Sequence, residues 1–342
     1  MNSSKELLTR DRKAEHIRLA LEERMQSASH PFERYRFGHE ALPDLDFDAI
    51  DLGTTFLGKR LSAPLLVSCM TGGTELAARI NEHLAEAAQS RGVALGVGSQ
   101  RRALEDPAQA ATFQVRHRAP TIPLLANLGA VQLNYGYGVD HCRRVVDMIE
   151  ADALVLHLNP LQEAIQPEGQ CEFAGLLPKM EAVARGLPVP VIAKEVGSGI
   201  SEATGRRLAA AGITILDTAG VGGTSWARIE ASRANDHEIG ELFAGWGIET
   251  PESIRALRRI DGVTIIGSGG LRSGVDVAKA IALGADLGGL AQPFLEAAVD
   301  SAEQVGRRID RVVQELKIAM FCLGAPNLPT LKTVPIRKET ET

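Results

Sequence analysis

The residues best suited to chemistry sit where short apolar runs give way to polar or glycine residues. His157, Asn159, Gln162 and Glu163 follow one such run, and Ser99, Gln100 and Arg101 follow another. A carboxylate at such a place can ligate Mg2+, which prefers oxygen ligands and keeps several waters. With Glu163 alone, phosphate oxygens and water must supply the remaining ligands. The competing reading is a glutamate that starts a helix, favoured by the positive end of the helix dipole. Lys194 closes a run that is otherwise apolar, and an ammonium is costly to bury without an anionic partner. It can act as a Schiff-base amine, lie beside the electron-rich edge of a bound ring, or form a plain salt bridge.

Glycines add a second kind of site. Residues 267–274 read Gly-Ser-Gly-Gly-Leu-Arg-Ser-Gly. Glycine lets backbone N–H groups approach a phosphate, and a following helix N-terminus adds partial positive charge. Arg272 can add a charge-assisted contact. Near the N-terminus, Arg12, Lys13 and His16 lie on one helical stretch. That stretch is either a solvated face or an arm that brings positive charge to an anionic ligand.

Positioning these groups requires a repeated strand–helix texture. The apolar runs cover 64–70, 93–98, 122–129, 153–159, 190–196, 213–220, 264–270 and 287–294. Runs apolar nearly throughout suit parallel strands covered on both faces. Helices are predicted over 74–91, with Leu76, Ile80 and Leu84 four residues apart, over 201–211 and over 273–283. Gly92, Gly212 and Gly284 follow them as C-terminal caps. Eight such units predict an α/β protein, a (β/α)8 TIM barrel whose polar strand ends converge on one rim. Residues 1–63 are expected to form an N-terminal extension with a charged helix over about 4–26. Residues 64–320 form the barrel and 321–342 a C-terminal tail. A long loop over 221–250 follows strand six and is either a lid or an oligomer contact.

Composition narrows the function classes. Among 342 residues, 44% are hydrophobic, 34 are Gly and only 4% are aromatic, which favours tight strand-to-helix turns over an all-β sandwich. The net charge of −6 argues against nucleic acid as a partner. Cys69, Cys142, Cys171 and Cys322 form no CxxC pair and read as reduced thiols. The polar start and the lack of a long apolar run predict a soluble cytoplasmic protein without a membrane partner.

Several blocks occur in the order known from one family. They are Arg-Lys-Ala-Glu-His at 12–16, Ala-Leu-Pro at 41–43, Met-Thr-Gly-Gly at 70–73 and Gly-Ser-Gln-Arg at 98–101. Ala-Asn-Leu-Gly at 126–129, His-Leu-Asn-Pro-Leu-Gln-Glu at 157–163 and Lys-Glu-Val-Gly at 194–197 follow. Gly-Gly-Thr-Ser-Trp at 222–226, Gly-Trp-Gly at 245–247 and Gly-Ser-Gly-Gly at 267–270 complete the set. With these the chain resembles the type 2 isopentenyl diphosphate isomerases.

The resemblance implies FMN held by Met70, Thr71, Gly72, Ser99, Asn127 and Lys194, with Thr224, Gly269, Gly270, Arg272, Ala291 and Gln292. It implies a substrate diphosphate held by Arg12, Lys13, Ser99, Gln100 and Arg101, and Mg2+ on Glu163. Gln162 would bind substrate beside the reacting carbons as a catalytic residue, as would His157, which with Asn159 shapes the floor. Two positions depart from the pattern. Ala219 stands where many relatives have Ser, and Gln292 replaces a small or apolar residue.

The implied reaction interconverts isopentenyl and dimethylallyl diphosphate by adding one proton and removing another. Alkenes are very weak bases, so the acid must be well placed and water excluded. The resemblance assigns that proton transfer to reduced FMN, with NADPH serving only to reduce it, and suggests a homo-oligomer, a tetramer or octamer. Two alternatives remain: an FMN-dependent 2-hydroxy-acid oxidase, and a non-catalytic barrel that binds FMN or phosphate. The oxidases carry a His-Gly-Gly-Arg-type segment after strand six, where this chain reads Ala-Gly-Val-Gly-Gly-Thr at 219–224.

Overall fold

The computed structural model describes residues 15–22, 25–27 and 30–339. Eight parallel strands close into a barrel. They are β1 (Leu65–Val67), β2 (Ala94–Gly96), β3 (Leu124–Gly129), β4 (Ala153–Leu158), β5 (Val191–Glu195), β6 (Ile215–Asp217), β7 (Thr264–Ser268) and β8 (Leu287–Leu290). Closure comes from β8 on β1, with Gly288 opposite Leu65 and Leu290 opposite Val67. Each strand lies inside one of the predicted apolar runs. The runs are apolar throughout because one face fills the lumen while the other packs under helices.

Inside the barrel, Leu66, Leu125, Val155, Ile192 and Ile266 form one buried cluster with Phe56 and Leu61. The last two come from a hairpin, Thr54–Phe56 with Lys59–Leu61. Lys59 ties that hairpin to the N-terminal end of the barrel, 2.6 Å from Asp152 Oδ1 and 3.3 Å from the Ile122 carbonyl. Burying a Leu or Phe side chain stabilises by about 1.5–3 kcal/mol. The hairpin therefore seals the bottom and leaves the C-terminal mouth for ligands.

The helices start and stop where their caps require. Thr74 Oγ1 accepts from Ala77 N at 3.1 Å to open Glu75–Arg91, and Gly92, at φ 62°, closes it. Ser201 opens Glu202–Ala210 and Ser273 opens Gly274–Ala282 in the same way. Ala77, Ile80, Leu84, Ala85 and Ala88 face the barrel and are fully buried.

Three expectations are corrected. Residues 221–250 are not a plain loop: they carry two helices, Trp226–Ala234 and His237–Leu242. Ser225 and Asp236 cap them, and Asn235, at φ 54°, ends the first. The eighth apolar run does not continue as strand to 294, because helix Gln292–Asp300 begins there with Pro293 near its start, a position where a missing N–H costs nothing. The N-terminal helix, as far as it is described, spans 15–20, and Gln26 instead bridges antiparallel to Thr224. The two flanking segments meet each other, since Tyr35–Phe37 pairs antiparallel with Ile336–Lys338. Among the described residues, no helix is long and apolar enough to cross a membrane.

Candidate functional site

All eight strand ends open on one cavity of about 290 Å³. Its wall includes Met70 and Thr71 after β1, Ser99 and Arg101 after β2, and Asn127 on β3. His157, Asn159, Gln162 and Glu163 follow from β4 and Lys194 from β5. Thr224, Gly269, Gly270, Arg272, Ala291 and Gln292 complete it from the last three strands. The sequence-predicted residues thus come together across almost the whole length of the chain.

Two of them do not reach the wall. Gln100 is fully buried and turns its amide away, donating to the Val145 carbonyl at 2.9 Å and accepting from Asn127 N at 3.0 Å. There it braces Asn127. Gly72 packs on the Phe113 ring, where an added Cβ would fall 1.8 Å from a ring carbon. Arg12 and Lys13 lie outside the described residues, whereas His16 stands on the wall.

The β4 side is a chain of fixed hydrogen bonds. Asn127 Oδ1 accepts from His157 Nδ1 at 2.8 Å. Asn159 Nδ2 donates to Gln162 Oε1 at 3.1 Å and to Glu163 Oε1 at 2.9 Å. Gln162 Nε2 in turn donates to Glu230 Oε1 at 2.7 Å. Glu230 also lies 3.1 Å from His16 Nε2 and 2.6 Å from an Arg233 nitrogen. Burial pushes its carboxyl up, but His16, Gln162 and Arg233 outweigh that and hold it at about 2.

Glu230 and Arg233 were missed in the sequence because they sit on the helix hidden in the supposed loop. Their only local signal is the i, i+3 pairing of opposite charges. Trp226, one turn before Glu230, meets the His16 ring edge-on at 5.2 Å between centroids. The insertion and the N-terminal arm therefore close the site as one unit, sealed by Leu19, Met25 and Ile229.

The β5–β7 side holds its charges more tightly. Lys194 Nζ lies 3.7 Å from Asp217 Oδ2 and donates to the Glu195 carbonyl at 3.0 Å. Among the alternatives for this lysine, the ion pair is present, and it leaves the ammonium on the cavity wall. Burial pushes the Asp217 carboxyl up against the opposing pull of Lys194. Burial likewise pushes the thiol of Cys69, which does line the cavity, up to about 11. Gly269 adopts φ 103°, and a Cβ there would fall 2.3 Å from the Gly220 carbonyl oxygen, so only glycine fits. Thr250 Oγ1 fixes that turn by donating to the Gly269 carbonyl at 2.6 Å.

The open valences of this wall suit a large polar cofactor. Among the described residues, the N–H groups of Gly223, Gly270, Leu271 and Gln292 have no hydrogen-bond acceptor. Arg272 and the start of helix Gln292–Asp300 stand beside them, a combination that receives a phosphate. Ser68 Oγ is buried on the same wall without a partner. On the β4 side, Asn159 Oδ1 and Gln132 Oε1 are also buried and unpartnered. With Glu163 they supply the oxygen chemistry that Mg2+ prefers. Among the described residues, no cluster of three or more His, Cys, Asp or Glu is arranged to hold a metal by itself.

Comparison with known proteins agrees with this geometry. Residues 18–123 and 179–338 match the family model for FMN-dependent dehydrogenases. An isopentenyl-diphosphate delta-isomerase from Nostoc sp. is 54% identical over 330 residues, covering 95% of this chain and 94% of its own. The enzyme of the same name from Synechocystis sp. is 51% identical over 334 residues, covering 96% of each chain. Among solved structures, a mandelate oxidase variant with a monooxide FMN adduct superposes with a TM-score of 0.65 at 18% identity. It covers 95% of this chain and 92% of that one, a likeness of fold alone. The chain belongs to the type 2, FMN-dependent isopentenyl-diphosphate delta-isomerases.

Proposed function

We propose that the cavity interconverts isopentenyl and dimethylallyl diphosphate, with FMN on the β5–β8 wall and against Met70, Thr71 and Asn127, and the diphosphate toward β2, β4 and the N-terminal arm. The observation that carries this reading is the sharing of one cavity by a Gly- and Lys-lined cofactor wall and the Gln162–Glu163 pair. When bound in its reduced form, FMN supplies an electron-rich ring able to exchange a proton and to stabilise developing positive charge.

The chain's own residues do the rest. Lys194 and Asn127 hold the ring, while Gly269, Gly270, Arg272 and the Ala291–Gln292 turn take its phosphate. Ser99 and Arg101, with Arg12 and Lys13, anchor the diphosphate, and Glu163 holds Mg2+ together with phosphate oxygens and water. Anchoring the charged end aligns the short apolar tail, replacing lost translational freedom with a fixed approach. Gln162, locked at both ends by Asn159 and Glu230, presents its amide to the reacting carbons. His157 is oriented by Asn127 against the same floor. Met70, Leu271, Leu290 and Trp226 supply apolar wall that keeps water from a weakly basic alkene. NADPH enters only as the initial reductant, because the reaction has no net redox change.

The test is anaerobic incubation of the purified yellow protein with isopentenyl diphosphate, Mg2+ and NADPH. Dimethylallyl diphosphate should form only after the flavin is reduced and should cease on chelation of the metal. Bound flavin without conversion under these conditions would refute the reading. Peroxide release from lactate or glycolate would instead point to the hydroxy-acid oxidases. Residues 219–224 lack the His and Arg that such chemistry needs.

A further inference from the structure

Lys194 faces the cavity with a carboxylate directly behind it. The two residues are in register on neighbouring strands, Lys194 on β5 opposite Asp217 on β6. Nζ and Oδ2 lie 3.7 Å apart, and Asp217 is only 2% exposed. Lys194 lines the cavity, whereas Asp217 does not. Ser268 on β7 donates its hydroxyl to Asp217 Oδ1, and Ser268 Oγ accepts from Ala219 N at 3.1 Å. Three adjacent strands thus fix the carboxylate in place.

Among the described residues, no other carboxylate is arranged to share that role. Glu195, next in sequence, points to the opposite face and spends Oε2 on the N–H groups of Val196, Gly197 and Ser198 at 2.5–2.7 Å. The Cys69 thiol stays protonated at neutral pH. Among the described residues, Asp217 is the one acidic side chain within ion-pair distance of Lys194.

We infer that Asp217 is a positioning residue that sets the electron affinity of the bound flavin by attenuating the charge of Lys194. This rests on the FMN reading above and adds to it a function for a residue that touches no ligand. Two-electron, one-proton reduction leaves a flavin with one more negative charge than its oxidised form, so a nearby ammonium favours reduction. A carboxylate behind that ammonium opposes it, and in a buried site the opposition is poorly screened. The arrangement suits an enzyme whose reduced cofactor must stay electron-rich through turnover. The same ion pair also holds the ammonium on the wall, which a lone lysine on a short strand end would not ensure.

The experiment measures the midpoint potential of FMN in the holoenzyme by equilibration with reference dyes, for the wild type, Asp217→Asn and Asp217→Glu. Asn keeps the size and the capacity to accept from Ser268 but removes the charge. At a fixed ambient potential its reduced-to-oxidised ratio should rise about tenfold, a shift of about +30 mV for a two-electron couple. Asp217→Glu should return most of the way to the wild-type value. An unchanged or lower potential in Asp217→Asn, with flavin bound, overturns the inference. A purely structural role would lower flavin content or Tm and leave the potential of the bound fraction unmoved. Should Asp217→Asn fail to fold, Asp217→Ser removes the same charge and must shift the potential in the same direction. A wild-type protein without FMN would sink the cofactor reading itself, an outcome distinct from FMN bound at an unshifted potential.

Discussion

The two halves of the cavity are built by different means. The β5–β8 wall is made from strand ends and glycine turns, with Lys194, Asp217 and Ser268 linked across three neighbouring strands. The β4 wall depends on groups brought from far away in sequence, with Gln162 bonded to Glu230 and Glu230 to His16. The match to the FMN-dependent dehydrogenases covers the β5–β8 wall and the two helices after β6 alike, at residues 179–338. It breaks between residues 123 and 179, the stretch that carries His157, Gln162 and Glu163.

That contrast is most exposed at Glu230. Glu230→Ala would leave Gln162, His16 and Arg233 facing a buried void, and losing one partner of a buried charged network costs about 3–5 kcal/mol. Turnover should fall by at least about a hundredfold, while flavin content measured by absorbance in the folded fraction stays at the wild-type level. Equal loss of flavin would erase the distinction between the walls.

The same carboxylate sets an acid limit. Its value is held at about 2 in the folded protein against an ordinary 4.5. Its contribution is fully present above about pH 4.5 and disappears as pH falls toward 2, on the order of 3 kcal/mol in all. Urea titrations across that window should show this limb in the wild type, and Glu230→Gln should lack it.

Changes on the other wall should act in the opposite sense. Gly269→Ala forces a Cβ against the Gly220 carbonyl at φ 103° and should cost about 1–3 kcal/mol. The loss should appear as reduced flavin retention on gel filtration. Lys194→Ala should release flavin or alter its spectrum, and normal content with an unchanged spectrum would contradict the assigned wall. Back on the β4 wall, Glu163→Gln should lower Mg2+-dependent turnover by about 10–100-fold with flavin still bound. Activity unchanged across a Mg2+ titration would remove the metal from that residue. Smallest of all, Leu242→Ser on the outer face of the insertion, 74% exposed, should change stability by less than about 0.5 kcal/mol.

Legibility in the sequence followed the range of the forces involved. β3 and β5 could be read because both faces of a parallel barrel strand are buried, which writes an unbroken apolar run. The helix starts at Thr74, Ser201 and Ser273 could be read because a cap is satisfied within three residues. Glu230 could not, since what makes it matter is a hydrogen bond to Gln162 across 68 residues. The placement of Gln100 was hidden for a related reason: its neighbours Ser99 and Arg101 reach the cavity, but the turn aims its own side chain into the core.

By itself, then, the order of residues determined the eight strands, the rim on which their polar ends gather and the family, because these depend on local periodicity, capping and contiguous motifs. Only the folded molecule decided that Gln100 braces Asn127, that the stretch after β6 is helical and meets the N-terminal arm, and that Asp217 stands behind Lys194. Those outcomes depend on directions and separations between side chains distant in the chain, which strand closure fixes and a linear pattern does not encode.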